Sequence, residues 1–200
     1  MKIIGLTGPS GAGKGFCYPL FEKYNVACID TDCVYHNLLL PHSLCVDELV
    51  LNFGKSIVDE NGAIIRKNLA AIVFADNNTE KLNLLNNITH KYVLSETKSM
   101  IEDYRADEKS AVVVDAPLLF ESGFDSFCDF TIAVISEKKT RLKRIMKRDC
   151  ISEEAALMRI NAQKGDEYYI SQAKYTVYNN ESCENLNTQL IEILKSENLI

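Results

Sequence analysis

The run IIGLTGPSGAGKG, residues 3 to 15, decides the fold. Its first five residues are a short apolar stretch that stops at glycine, the pattern of a buried parallel strand. The next eight, GPSGAGKG (8–15), match the phosphate-gripping form G-x-x-x-x-G-K-[ST] at every position but the last, where Gly15 replaces a hydroxyl residue. A glycine-rich turn between a strand and a helix offers an anion several backbone N–H groups and the positive end of the helix dipole. On this reading Gly11, Ala12, Gly13, Lys14, Gly15 and Phe16 bind ATP, Lys14 reaches the β- and γ-phosphates, and the N–H groups of Gly15 and Phe16 still donate to phosphate. Only the hydroxyl that would touch Mg²⁺ is missing. A contact of that kind is worth about 1.5–3 kcal/mol, so a weakened metal site is expected, not an abolished one. Four residues on, Pro19 lacks the N–H that would bond the carbonyl of Gly15, and its ring crowds that carbonyl. The spacing therefore predicts a kinked first turn in which Gly15 and Pro19 are coupled.

Four further apolar runs, VACID (26–30), AVVVD (111–115), FTIAVI (130–135) and YTVY (175–178), alternate with longer stretches of helical spacing. Such alternation argues for an α/β fold, a parallel sheet wrapped by helices. The gap from 32 to 110 is too long for one crossover helix. It carries a turn at DENGA (59–63) and helical patterns at 66–75 and 79–104, and reads as a helical insertion at the strand ends, where ligands bind in open α/β sheets. The charged segment 137–163 reads as two helices joined near Asp149–Ser152, with Ser152 as an N-cap followed by first-turn acids.

Two hundred residues suffice for one such unit with a sizeable core. The net charge of -6 argues against nucleic acid or an anionic membrane as a partner, so any anionic ligand must be held by a local cluster of positive groups. Seven scattered cysteines form no C-x-x-C pair and suit reduced thiols in a cytoplasmic protein. The opening MKIIGLTG is too short for a signal peptide, and no apolar run is long enough to span a bilayer. The oligomeric state is not legible.

Beyond the loop, IDTDCVYH (29–36), NGAIIRKNLAAIVFAD (61–76), LNNITH (85–90), VVVDAPLLFESG (112–123), RIMKRDCISEEAALMRINAQ (144–163) and AKYTVYNN (173–180) follow in order. In this order and spacing the chain resembles the dephospho-coenzyme A kinase family over nearly its whole length. The resemblance implies a P-loop NTPase-type parallel sheet flanked by helices, with core segments 1–31, 111–136 and 166–200. It also implies a CoA-binding helical insertion over 32–110 and a lid over 137–165. The implied reaction moves the γ-phosphoryl group of ATP, with Mg²⁺, to the 3′-hydroxyl of dephospho-CoA in the last step of coenzyme A synthesis.

Individual residues take roles on this basis. Asp32, just past a strand end, has the chemistry to accept a hydroxyl proton and aim its oxygen, and the resemblance places the family's proposed base there. Asp115 ends the apolar run AVVVD, the position of an acid that holds Mg²⁺, and Asp32 is a second candidate for the metal. Arg144 and Arg148 lie four apart on one helix face, placed to close over the polyphosphate, although Arg141, Lys143 and Lys147 equally describe a basic surface. His36, four residues after Asp32, shares its helix face and is a candidate to hold the acceptor. The resemblance adds Arg66 and His90 on the CoA side, Arg159 and Gln163 near the lid, and Asn179 near the adenine. Lys174 stands where the family usually has an acid, and Tyr169 where a lysine is common. Two other readings fit the same residues: a related phosphate-loop kinase with a different small hydroxyl acceptor, and a nucleotide-binding homologue whose chemistry is weakened or lost at Gly15.

Overall fold

The computed structural model describes residues 1–75, 79–180 and 182–200; Asp76, the last residue of the 61–76 run, lies outside them. The strands are β1 (Lys2–Thr7), β2 (Val26–Asp30), β3 (Ala111–Asp115), β4 (Phe130–Ile135) and β5 (Tyr175–Tyr178). They pair in parallel throughout, in the order β2-β3-β1-β4-β5. Every residue of β3 and β4 is buried, which is why these strands read as continuous apolar runs and not as alternating ones. The strand order reverses at β1, with β3 on one side and β4 on the other. In a parallel sheet that is the point where the chain leaves room for a ligand beyond the carboxyl ends. The phosphate loop leaves β1 there, and Asp115 ends β3 directly beside it, paired in register with Leu6.

The helices are α1 (Tyr18–Lys23), α2 (Thr31–Leu38), α3 (Leu44–Phe53), α4 (Arg66–Val73), α5 (Thr79–Ala106), α6 (Lys138–Asp149), α7 (Glu153–Asn161), α8 (Asp166–Gln172) and α9 (Cys183–Ser196). The chain divides into two compact units, one of Met1–Asp30 with Asp103–Ile200 and one of Thr31–Glu102. In the first, Ile4, Leu6, Phe21 and Ile132 pack with Leu186, Leu190 and Leu194. The last three recur every four residues, so α9 turns a single apolar stripe to the sheet. The second unit has its own core of Cys45, Leu49, Phe53, Ile57, Leu69, Val73 and Ile88. Its turn at 59–63 is closed by the Asp59 carboxylate, which accepts from the N–H groups of Asn61 and Ala63, both at 2.9 Å. Ser152 caps α7 as its spacing predicts, accepting from the N–H of Ala155. No helix among the described residues is long and apolar enough to cross a membrane.

Pro19 produces no kink inside a helix. Residues Lys14–Cys17 form a 3₁₀ turn, and Pro19 sits in the first turn of α1, where a missing N–H is tolerated. The carbonyl of Gly15, which Pro19 cannot bond, accepts the N–H of Tyr18 instead. The i→i+4 bond is replaced by an i→i+3 bond, and the expected kink becomes a change of helix type.

The two departures from the family pattern also find structural reasons. Lys174 lies at the amino end of β5, the end of the sheet away from the phosphate loop. There it donates to Glu197 at 2.6 Å, and Lys2 at the start of β1 donates to the same carboxyl at 2.9 Å. Tyr169 is buried against Ala133 and Ile135 of β4. One closes a charge cluster at the base of the sheet, the other fills core. Hydrogen bonds from Lys174, Lys2 and Tyr175 hold the Glu197 carboxyl down at about 2. A carboxyl depressed on folding stabilises the fold above its unfolded value, and that contribution is lost as pH falls toward the folded value. Glu197→Gln is therefore expected to melt below the wild type at pH 7, with the gap closing between about pH 4.5 and 2. Calorimetry of both proteins across that range checks it; a gap independent of pH would show the cluster to be electrostatically silent.

Candidate active site

The phosphate loop is shaped by close backbone approaches. Gly8 has φ 144°, and a Cβ there would lie 2.2 Å from the carbonyl oxygen of Val134 in β4. Gly13 has φ 91°, and a Cβ there would meet the Asn179 amide nitrogen at 2.4 Å. Only glycine fits either place. A loop that turns its N–H groups toward an anion turns its carbonyls outward, and those carbonyls need donors.

The donors come from the last third of the chain. Arg144 donates to the carbonyls of Ala12 at 3.0 Å, Gly11 at 3.3 Å and Asn179 at 3.1 Å. Asn179 donates from Nδ2 to Ala12 at 2.8 Å, and its own backbone N–H continues the sheet by bonding Ile135 at 2.8 Å. Arg141 donates from Nε to the carbonyl of Ser10 at 3.0 Å and from Nη1 to Asp166 at 3.0 Å. Ser10 also donates its N–H to Gln163 Oε1 at 3.0 Å and accepts from Arg148 at its hydroxyl at 3.4 Å. Three of the expected residues are thus employed differently from the sequence reading. Arg144 braces the loop through its carbonyls, with its guanidinium 5.5 Å from the centre of the Phe16 ring. The N–H of Phe16 is taken by the Gly13 carbonyl at 3.0 Å as the 3₁₀ turn closes, and that of Ala12 by Pro9 at 3.1 Å in the separate turn before it.

Arg141 and Tyr18 are the residues that sequence reasoning missed. Arg141 looks like one charge of a basic surface, yet it is 4% exposed. The available signal was the stripe Arg141, Arg144, Ile145 and Arg148, spaced as one face of α6. Arg148 forks onto its neighbour Asp149 at 2.8 and 3.0 Å, and Arg159 of α7 pairs with the same carboxylate.

The electrostatic centre is Asp115, 6% exposed. Lys14 Nζ lies 3.5 Å from its Oδ1, and the Tyr18 hydroxyl donates to its Oδ2 at 2.6 Å. Burial holds the Asp115 carboxyl above the usual range, with Lys14 and Tyr18 opposing it only in part. Burial and the neighbouring carboxylate push the Tyr18 phenol well up, so it remains a donor. In the second unit, Asp32 and His36 are exposed on α2, in its first and last turns. Arg66, the first residue of α4, lies 3.0 Å from His36 Nδ1. With arginine always a donor, the ring's proton is then on Nε2. His90 is exposed on α5.

A family model described as dephospho-CoA kinase matches residues 2–185. The chain belongs to the dephospho-CoA kinase family. A dephospho-CoA kinase of Lactobacillus johnsonii is 33% identical over 193 residues, covering 96% of each chain. Among solved structures, a Thermus thermophilus protein superposes with a TM-score of 0.79 at 27% identity, covering 98% of this chain and 97% of its own. A dephospho-CoA kinase from Campylobacter jejuni gives 0.69 at 26% identity, covering 98% and 96%.

Set within that family, the donor set suits a hard divalent cation. Mg²⁺ takes one or two carboxylates and fills its remaining positions with phosphate oxygens and water. A carboxylate has about four acceptor positions, so Asp115 can keep Lys14 and Tyr18 and still offer oxygen to an ion. No cluster of three or more His, Cys, Asp or Glu side chains gathers among the described residues. The loop itself depends on its braces. Asn179→Ala strips the Ala12 carbonyl of its shortest donor, at a cost of about 1–3 kcal/mol. The expected result is a melting temperature lower by about 3–10 °C together with weaker ATP binding. Calorimetry checks both, and ATP affinity unchanged in this variant would mean that the loop holds its shape without the side chain.

Proposed function

We propose that this chain transfers the γ-phosphoryl group of ATP to the 3′-hydroxyl of dephospho-CoA, releasing ADP and CoA. The observation that carries the reading is the pairing of Lys14 with the buried Asp115 beside a braced phosphate loop, in a chain that matches the family along nearly its whole length. The N–H groups of Gly11, Gly13, Lys14 and Gly15 cradle the phosphates, and the Lys14 ammonium neutralises charge on the β- and γ-phosphates. Asp115 would hold Mg²⁺, with Asp32 a second candidate for the ion, and the ion would offset phosphate charge. Asp32 accepts the proton of the attacking hydroxyl as the new O–P bond forms and the bond to the ADP oxygen breaks. Arg148 adds positive charge to the phosphate end, Arg144 keeps the loop in place, and Asn179 sits where the adenine is read.

His36, Arg66 and His90 serve the CoA side, and Arg159 and Gln163 belong to the lid whose closure excludes water as a competing acceptor. The reading of a silent nucleotide binder has less support. A Cβ added at Gly15 would meet nothing within 4 Å, so the change leaves the loop's shape intact, and Lys14, Asp32 and Asp115 are all present.

The test is product formation from ATP, Mg²⁺ and dephospho-CoA, followed by mass spectrometry of the CoA species. CoA should appear, and Lys14→Ala should slow it by about 10²–10³-fold. Asp32→Asn should lower kcat by about 10²–10⁴-fold. Arg66→Ala should raise KM for dephospho-CoA and leave KM for ATP unchanged. ATP bound at full affinity with no CoA formed at any Mg²⁺ concentration would sink the reaction assigned here.

A further inference from the structure

Gly15 and Pro19 are two departures from an ordinary phosphate loop within five residues, and the structure joins them through Tyr18 into one device. Because Pro19 has no N–H, the Gly15 carbonyl takes the N–H of Tyr18 and the segment Lys14–Cys17 winds as a 3₁₀ turn. In a 3₁₀ turn residues i and i+3 eclipse one another. Residue 18 therefore stands over the face on which a hydroxyl at residue 15 would project. From that face the Tyr18 phenol reaches the Oδ2 of Asp115 at 2.6 Å, while Lys14 lies 3.5 Å from the other oxygen.

Resting on the reaction proposed above, we propose that Tyr18 is a positioning residue for phosphoryl transfer. Its hydroxyl makes good the one missing at residue 15, acting on Asp115 and not on the metal ion. Held at one oxygen by a neutral donor and at the other by an ammonium, the carboxylate has a fixed plane. A carboxylate that loses one of these donors is free to turn about its Cβ–Cγ bond, and an ion that depends on its plane is held less well. The phenol does not fill the space beside Gly15, which stays open within 4 Å of a Cβ placed there. The substitution is therefore one of hydrogen-bonding role and not of volume.

The experiment measures binding and needs no turnover. A fluorescent ATP analogue is titrated into the full chain with EDTA and at a series of Mg²⁺ concentrations, for wild type, Tyr18→Phe and Gly15→Ser/Tyr18→Phe. Tyr18→Phe keeps the ring and removes the donor. The Mg²⁺ concentration for half-maximal tightening should rise about tenfold, with affinity in EDTA unchanged. Restoring a hydroxyl at residue 15 in the double variant should return the midpoint to within about twofold of wild type. A wild-type midpoint in Tyr18→Phe overturns the role, and so does an equal loss of affinity with and without Mg²⁺, which is the mark of a packing effect. The wild-type curve separates this idea from the one beneath it. If the wild type shows Mg²⁺-dependent binding and Tyr18→Phe matches it, only the tyrosine's role fails. If the wild type binds no ATP, the kinase reading fails and takes this role with it.

Discussion

A backbone loop that converges its N–H groups on an anion must point its carbonyls the other way, and in a folded protein those carbonyls cannot stay without donors. The rest of the nucleotide end depends on that constraint. Ser10, Gly11 and Ala12 present their carbonyls outward, and Arg141, Arg144 and Asn179 answer them. The partners lie more than 120 residues away in the chain, so the loop's shape is a property of the assembled sheet. β4 pairs with β1 and β5 with β4, and the residues that follow these strands, Ser136 with α6 and Asn179, are delivered behind the loop.

The same arrangement explains why Arg144, which sequence reasoning assigns to the polyphosphate, also serves the scaffold. A guanidinium carries five donors in a rigid fork, so one Arg144 satisfies carbonyls from two segments at once, and a lysine would not. Burial in that place disfavours the charge on Arg144 and Arg141, a cost offset by the carbonyls and, for Arg141, by Asp166. A loop held by such donors needs no reorganisation when phosphate arrives, and preorganised dipoles of this kind are what phosphoryl transfer draws on.

Asp115 shows how a buried charge is kept usable. It closes the central part of the sheet, and burial alone would favour its neutral form. Lys14 and Tyr18 counter that from either side. The phosphate-loop lysine and the strand-end acid thus form one electrostatic unit, in which the ammonium opposes the effect of burial on the carboxyl.

The strands, the phosphate loop, the cap at Ser152 and the turn at Asp59 were all legible in the sequence, because each rests on local chemistry: apolar runs, glycines at fixed spacing, a side chain bonding its own backbone. Pro19 was legible as a problem, since a missing N–H is a property of the residue itself. Its solution was not, because whether a segment bends or tightens into a 3₁₀ turn depends on what the next side chain can reach. The burial of Arg141, the bracing by Arg144 and the reach of Tyr18 to Asp115 were likewise invisible, each being a contact between residues far apart in the chain. Lys174 and Tyr169 stood out in the sequence only as departures from the family pattern; the fold puts one at the base of the sheet and the other in its core. Local composition by itself determined which elements form and where phosphate is gripped. Only the tertiary structure decided which polar groups serve a ligand and which serve the loop, because a donor's task is set by the nearest unsatisfied acceptor, and sequence spacing does not measure that distance.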